Sequence, residues 1–139
     1  MCVIAGYAGS QLASPVIMEM IQRQEGLAGG FYAGMAVVEA DSLHWRKVVG
    51  VMDDLRKKSD ADKLPGCVGV AHSRSNSGGD AEWAHPFVAC FDSVAYVANG
   101  SDGVWKDHPS RQEIPNRLAR EGHVYHAVNA KPIGSYPTL

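Results

Sequence analysis

The sequence has few cysteines, few aromatic residues and no block of charge of one sign, and each shortage excludes a class of protein. Its three cysteines, Cys2, Cys67 and Cys90, are an odd set without a CxxC pair. Such a set builds neither a disulfide framework nor a structural zinc site, and a reducing cytoplasm is its simplest compartment. Thirteen Lys and Arg stand against 15 Asp and Glu, and the formal charge of −2 is spread along the chain. A nucleic-acid surface needs a basic patch that this distribution lacks. No apolar run reaches the ~18 residues of a membrane-crossing helix. Residues 1–9 are apolar, but the first basic residue is Arg23, so a secretory leader with its positive start is not expected. Aromatics make up only 8% while glycines number 15, which describes tight turns and close backbone approaches and excludes a coiled coil or a disordered tail.

What is present is the material of one globular domain: 139 residues, 45% hydrophobic, with no internal repeat, low-complexity tract or dividing linker. A single domain over 1–139 is expected. Residues 2–8 read as a buried strand. Ser14 followed by Pro15 is the signature of an N-cap and a first helical position, with Ile17, Met20 and Ile21 on one face and Gly26 as the stop. Residues 32–39 and 43–49 read as two hairpin strands joined by Ala40, Asp41 and Ser42. Residues 53–58 predict a short charged helix whose Arg56, Lys57 and Lys58 face solvent. Residues 66–72 and 93–99 predict buried strands, with the loop 73–86 between them. Ser110 and Glu113 offer a capping box for a helix with Ile114 and Leu118 on its apolar side, closed by Gly122 before a strand over 123–128. Helices and hairpins in this order predict an α+β fold rather than alternating βαβ units.

Cys2 is the strongest chemical candidate. Removal of Met1, usual before a small residue, would leave one residue bearing both a thiol and a free α-amine. That amine titrates near ~7.7–8.0 and can take the thiol proton close to neutrality. The competing reading of Cys2 is a small strand residue in the core. The stretch 69–79 follows a strand directly and sets Arg74 at its mouth, where ligands are commonly held. Arg74 offers a planar fork for a carboxylate and Ser77 a hydroxyl for a second contact, the alternative being a solvated arginine. Asn99 and Gly100 pair a side-chain amide with a backbone N–H, the parts of an oxyanion hole or of a plain turn. His72 is expected to support the Arg74 loop from within the sheet. His123 and His126 fall on opposite faces of their strand, so they do not share a metal. The glycines from 26 to 34 do not match a phosphate-binding pattern, and Trp45, Trp83 and Trp105 are expected to be packing anchors. Neither a metal nor a cofactor is expected.

The segments MCVIAGYAG, AGMAVVE, RKVVGVMDDL, GVAHSR, AHPF and ANG occur in an order and spacing that resemble the class II glutamine amidotransferase domain, a family of N-terminal-nucleophile hydrolases. The register is good from Cys2 to about Asn99 and looser through Leu118 and residues 122–125. The resemblance implies an αββα sandwich, incomplete or shortened here because the family domain is considerably longer. It implies that Cys2 is the nucleophile once Met1 is removed, that Asn99 and the N–H of Gly100 form the oxyanion hole, and that Arg74 and Ser77 hold the α-carboxylate of glutamine. Ser75 would also line the substrate site, and His85 would sit in the loop beside the pocket. The implied reaction is hydrolysis of the γ-amide of glutamine through a thioester, with no metal.

The sequence also departs from that family. Ser75 stands where an aromatic residue is usual, Gly78 where a histidine is common, and Ser101-Asp102 where an apolar pair follows Asn-Gly. Asn129 is the nearest match to the aspartate that binds the α-amino group of glutamine, and it carries no charge. Two functional readings follow, a glutamine-hydrolysing amidotransferase domain that supplies ammonia to an acceptor domain or subunit, and a glutamine-binding or regulatory module without turnover. The length admits a fragment, a domain completed by another chain or a reduced fold, and a homo-oligomer stays open. Neither nucleic acid nor a membrane is expected as a partner.

Overall fold

The structure, a computed structural model, describes residues 1–76, 84–89, 92 and 94–99. The helix expected between Ser110 and Gly122 and the strand expected over 123–128 lie outside the described residues. In chain order the elements are strand β1 (Val3–Ala8), helix α1 (Ala13–Gln22), strands β2 (Tyr32–Glu39) and β3 (Ser42–Val49), helix α2 (Met52–Lys58) and a 3-10 turn (Ala61–Lys63). Strand β4 (Val68–Arg74) and the two-residue strands β5 (Phe87–Val88) and β6 (Ala95–Tyr96) follow. β1, β4, β2 and β3 form one sheet in that order, and β5 pairs with β6 in a second. Every pair is antiparallel. The architecture is therefore α+β, as the order of patterns predicts.

Alternation along the strands decides the layering, because successive side chains leave a strand on opposite faces. Val3, Ala5, Ala33, Met35, Val37 and Ala71 project to one side and pack with Ile17, Met18 and Ile21 of α1 and Met52 and Leu55 of α2. On the other side Ala36, Val70, Leu43 and Trp45 meet Ala95 and Val88 of the second sheet. The described residues thus stack as helices, four-stranded sheet and two-stranded sheet. Helices this short are marginal in isolation, and the burial of each large apolar side chain, roughly 1.5–3 kcal/mol, is what holds them.

Several sequence expectations are corrected in detail. β1 begins at Val3 and alternates buried and exposed residues, so it is a half-buried strand. Helix α1 starts one residue before Ser14, with Leu12 at the N-cap. Ser14 is buried instead, and its hydroxyl donates to the carbonyls of Leu64 (2.9 Å) and Asp62 (3.3 Å). Met18, not Met20, completes the buried face with Ile17 and Ile21, while Met20 is 40% exposed. Ser42 belongs to β3, leaving a two-residue turn in which Ala40 takes a positive φ of 50°. β4 runs to Arg74, so Ser73 and Arg74 are strand residues rather than the first residues of a loop. Of the strand expected over 93–99, Ala95–Tyr96 pair, and their partner β5 forms directly after the expected loop 73–86. The hairpin of β2 and β3 and the exposed Arg56, Lys57 and Lys58 stand as expected.

One carboxylate ties three elements together. Glu25 Oε1 accepts from the Ser73 hydroxyl at 2.7 Å, and both Glu25 oxygens accept from the Met52 backbone N–H at 3.0 and 3.1 Å. The Ser73 oxygen in turn accepts from Gly30 N–H at 2.9 Å. Met52 opens α2, so Glu25 satisfies one of the helix's otherwise orphaned donors, and Asp54 does the same for Val51 N–H at 3.1 Å. The chain after α1, the start of α2 and the end of β4 are locked in one network. Glu25→Ala should lower the unfolding free energy by roughly 1–3 kcal/mol in urea titrations, with Glu25→Gln costing less, because a charged acceptor for two part-buried donors is lost.

Candidate active site

The pairing of β1 with β4 sets Val3 opposite Ser73, which brings the start of the chain alongside the end of β4. Cys2 lies there, half-buried, with its Sγ 3.9 Å from the Ser75 hydroxyl. The Asn99 amide donates to the Cys2 carbonyl at 3.4 Å, so the segment after β6 reaches the same place. The Met1 carbonyl accepts from Gly29 N–H at 3.0 Å, which ties the terminus to the loop before β2. Gly29 has a φ of +77°, and a Cβ on it would strike the Ser73 side chain and carbonyl. Only glycine lets that loop lie so close to the end of β4.

Arg74 is 5% exposed, and its guanidinium carbon is 5.1 Å from the centre of the Tyr32 ring, its cross-strand partner. The ring's negative face and the fixed cation favour one another. Two residues earlier on the same face, His72 is fully buried, with its Nδ1 3.3 Å from Nδ1 of His85 and the two ring centres 4.1 Å apart. His85 also stands edge-on to Phe87 at 4.5 Å. Burial pushes His72 from the usual 6.5 down to about 4, the positive charge of Arg74 adding to that effect and an Ala98 backbone hydrogen bond opposing it. His72 is therefore neutral at pH 7, and two adjacent imidazoles with one proton between them can share a hydrogen bond.

Of the residues singled out from the sequence, Cys2, Ser75, Arg74 and Asn99 come together at the end of β4, and His85 joins them through His72. Gly100, Ser77 and Asn129 lie outside the described residues. Trp45 does pack between the sheets, and its indole N–H donates to Asp92 at 3.0 Å. Among the described residues no group of three or more His, Cys, Asp or Glu could hold a metal ion, and no helix is long and apolar enough to cross a membrane. Sequence reasoning missed Glu25, Tyr32 and Gly34. An isolated glycine inside an otherwise alternating strand was the available signal for Gly34, because it marks a close approach of another backbone. Glu25 carried no such signal.

No protein-family model matches the chain. Over 127 residues it is 34% identical to the glutamine–fructose-6-phosphate aminotransferase (isomerizing) of Pyrococcus horikoshii, covering 90% of this chain and 20% of that protein. The same enzyme from Chlamydia caviae is 35% identical over 102 residues, 72% of this chain and 17% of that protein. That of Methanococcus maripaludis is 28% identical over 127 residues, 90% and 20% of the two chains. The relatives are glutamine-using amidotransferases. The chain is a sequence relative of glutamine–fructose-6-phosphate aminotransferase, matching the glutaminase-domain part of it and spanning about a fifth of the curated relatives' length.

A neutral, buried His72 gives the fold a specific acid sensitivity. The unfolded chain binds the extra proton first, so the stabilisation is complete above pH 6.5, is lost as pH falls from 6.5 to about 4, and changes no further below that. The loss should amount to roughly 3 kcal/mol. Urea titrations between pH 7 and 4 should show this slope in the native protein and a much flatter one in His72→Gln.

Proposed function

We propose that the chain is the glutamine-hydrolysing domain of a class II amidotransferase, with an N-terminal cysteine as its nucleophile. The observation that supports this most is the convergence of the Cys2 thiol, the Arg74 guanidinium and the Asn99 amide at one end of the sheet. In this reading Met1 is removed and the freed α-amine of Cys2 takes the thiol proton. The thiolate attacks the γ-carboxamide carbon of glutamine, and the resulting oxyanion receives hydrogen bonds from Asn99 Nδ2 and Gly100 N–H. The C–N bond then breaks, the amine returns the proton, and ammonia leaves. Water, deprotonated by the same amine, opens the thioester and releases glutamate, restoring the thiol.

Arg74 is suited to the α-carboxylate. A planar guanidinium forms two parallel hydrogen bonds with a carboxylate, and its burial makes the attraction stronger than at a surface. Ser75, Ser77 and His85 would line the remainder, and Asn129 would contact the α-amino group through a neutral amide. In this reading the ammonia passes to an acceptor domain or partner subunit. A catalytic free thiol suits a reducing cytoplasm. The uncharged Asn129 and the serine at position 75 favour a second reading, a glutamine-binding module of the same fold without turnover.

Glutamine-dependent ammonia release by the Met1-processed protein separates the two. Cys2→Ala should reduce release to background, Asn99→Ala should lower kcat by about 10²–10³, and Arg74→Ala should raise KM. Equal release from native protein and Cys2→Ala would refute the nucleophile assignment. Calorimetric binding of glutamine with no release from either would establish the second reading.

A further inference from the structure

Residues 84–86 lie across a single rung of the four-stranded sheet. In the strand register Ile4 faces His72, His72 faces Gly34 and Gly34 faces Lys47, so these four stand side by side on the face that meets the second sheet. Gly34 is the gap in the rung. A methyl group there would run into the carbonyl of His85, so the backbone of the 84–86 segment rests directly on the sheet. On one side of the gap the His72 imidazole meets that of His85. On the other, Lys47 Nζ donates to the carbonyl of Ala84 at 3.2 Å and to that of Pro86 at 3.3 Å. The same ammonium is 5.5 Å from the centre of the Trp45 ring and 5.9 Å from that of Phe87, which hold it over the segment.

This arrangement answers a specific need. A segment laid across a sheet face cannot use the sheet's own N–H groups, which are engaged between strands, and buried carbonyls without donors are costly. An ammonium has three donors on a flexible stem and can serve two carbonyls at once. The carbonyls it takes flank His85 on both sides, fixing the backbone that carries the imidazole. We propose that Lys47, acting across the Gly34 gap, is a positioning residue that sets the His85 ring against His72, two residues before Arg74 on the same face of β4. The kinetic consequence rests on the glutaminase reading, and the structural one does not.

The test compares the full chain with Lys47→Met, which keeps length without donors, and Lys47→Arg, which keeps donors. Imidazole ¹⁵N and ¹H resonances of His85 and His72 report ring placement whether or not the protein turns over. K47M should shift both sets, K47R should leave them near native, and both variants should remain folded. In glutamine kinetics K47M should raise KM about tenfold with kcat within about twofold, since misplacing a substrate-lining group weakens binding. K47R should restore KM. Unshifted resonances in K47M, or no rescue by K47R, would overturn the proposal, as would shifted resonances with an unchanged KM. A native protein that hydrolyses no glutamine removes the functional reading alone, and the resonances still decide the clamp. If K47M does not fold, Lys47→Leu, which also lacks donors, takes its place in the same comparison.

Discussion

Antiparallel pairing of β1 with β4 carries the first residues of the chain to the far end of a central strand. Val3 is set against Ser73, so Cys2 lies beside Arg74 and Ser75 by register alone. A slip of β1 by one residue against β4 would turn its side chains to the opposite faces, moving Cys2 and Ile4 to the helix side and Val3 and Ala5 to the second sheet. The helices resist that slip, because Val3, Ala5 and Ala71 pack into the core with Ile17, Met18 and Ile21. The geometry of the site is thus a consequence of hydrophobic alternation in two strands.

Two polar devices refine what the register provides. On the helix side, Glu25 holds Ser73 and the first N–H of α2, so the strand end next to Arg74 is anchored from beneath. On the opposite side, Lys47 and Gly34 hold the segment that brings His85 to His72. Arg74 lies between these anchors with its guanidinium over Tyr32. The burial that leaves Arg74 only 5% exposed extends to His72 two residues earlier and keeps its imidazole neutral.

Much of this was legible in the sequence where a pattern is local. The alternation in residues 32–39 and 43–49, with turn formers between them, specified the hairpin, and the charged run after Met52 specified an exposed helix. Position errors arose where tertiary contacts outweighed local signals. Ser14 has the chemistry of an N-cap, but the carbonyls of Asp62 and Leu64 claim its hydroxyl. Strand β4 extends through Ser73 and Arg74 because β1 and β2 both pair with Ser73 and β2 pairs with Arg74, whatever the loop-like composition after His72 suggests. At the site, Cys2, Arg74 and Asn99 could be named from residue type and family resemblance. Glu25 and Lys47 could not, since each works through contacts 27 or more residues away that no spacing rule encodes.

The central claim, that Cys2 is the nucleophile of a glutamine site organised by Arg74, is tested most directly by covalent capture. A glutamine analogue with an electrophilic carbon in place of the γ-amide, followed by peptide mass spectrometry, reports both shape recognition and thiol reactivity. The account predicts one adduct per chain, on a Cys2 that has lost Met1, suppressed by excess glutamine and by Arg74→Ala. Labelling of Cys67 or Cys90 to the same extent, or labelling of Cys2 that glutamine does not suppress, would contradict it.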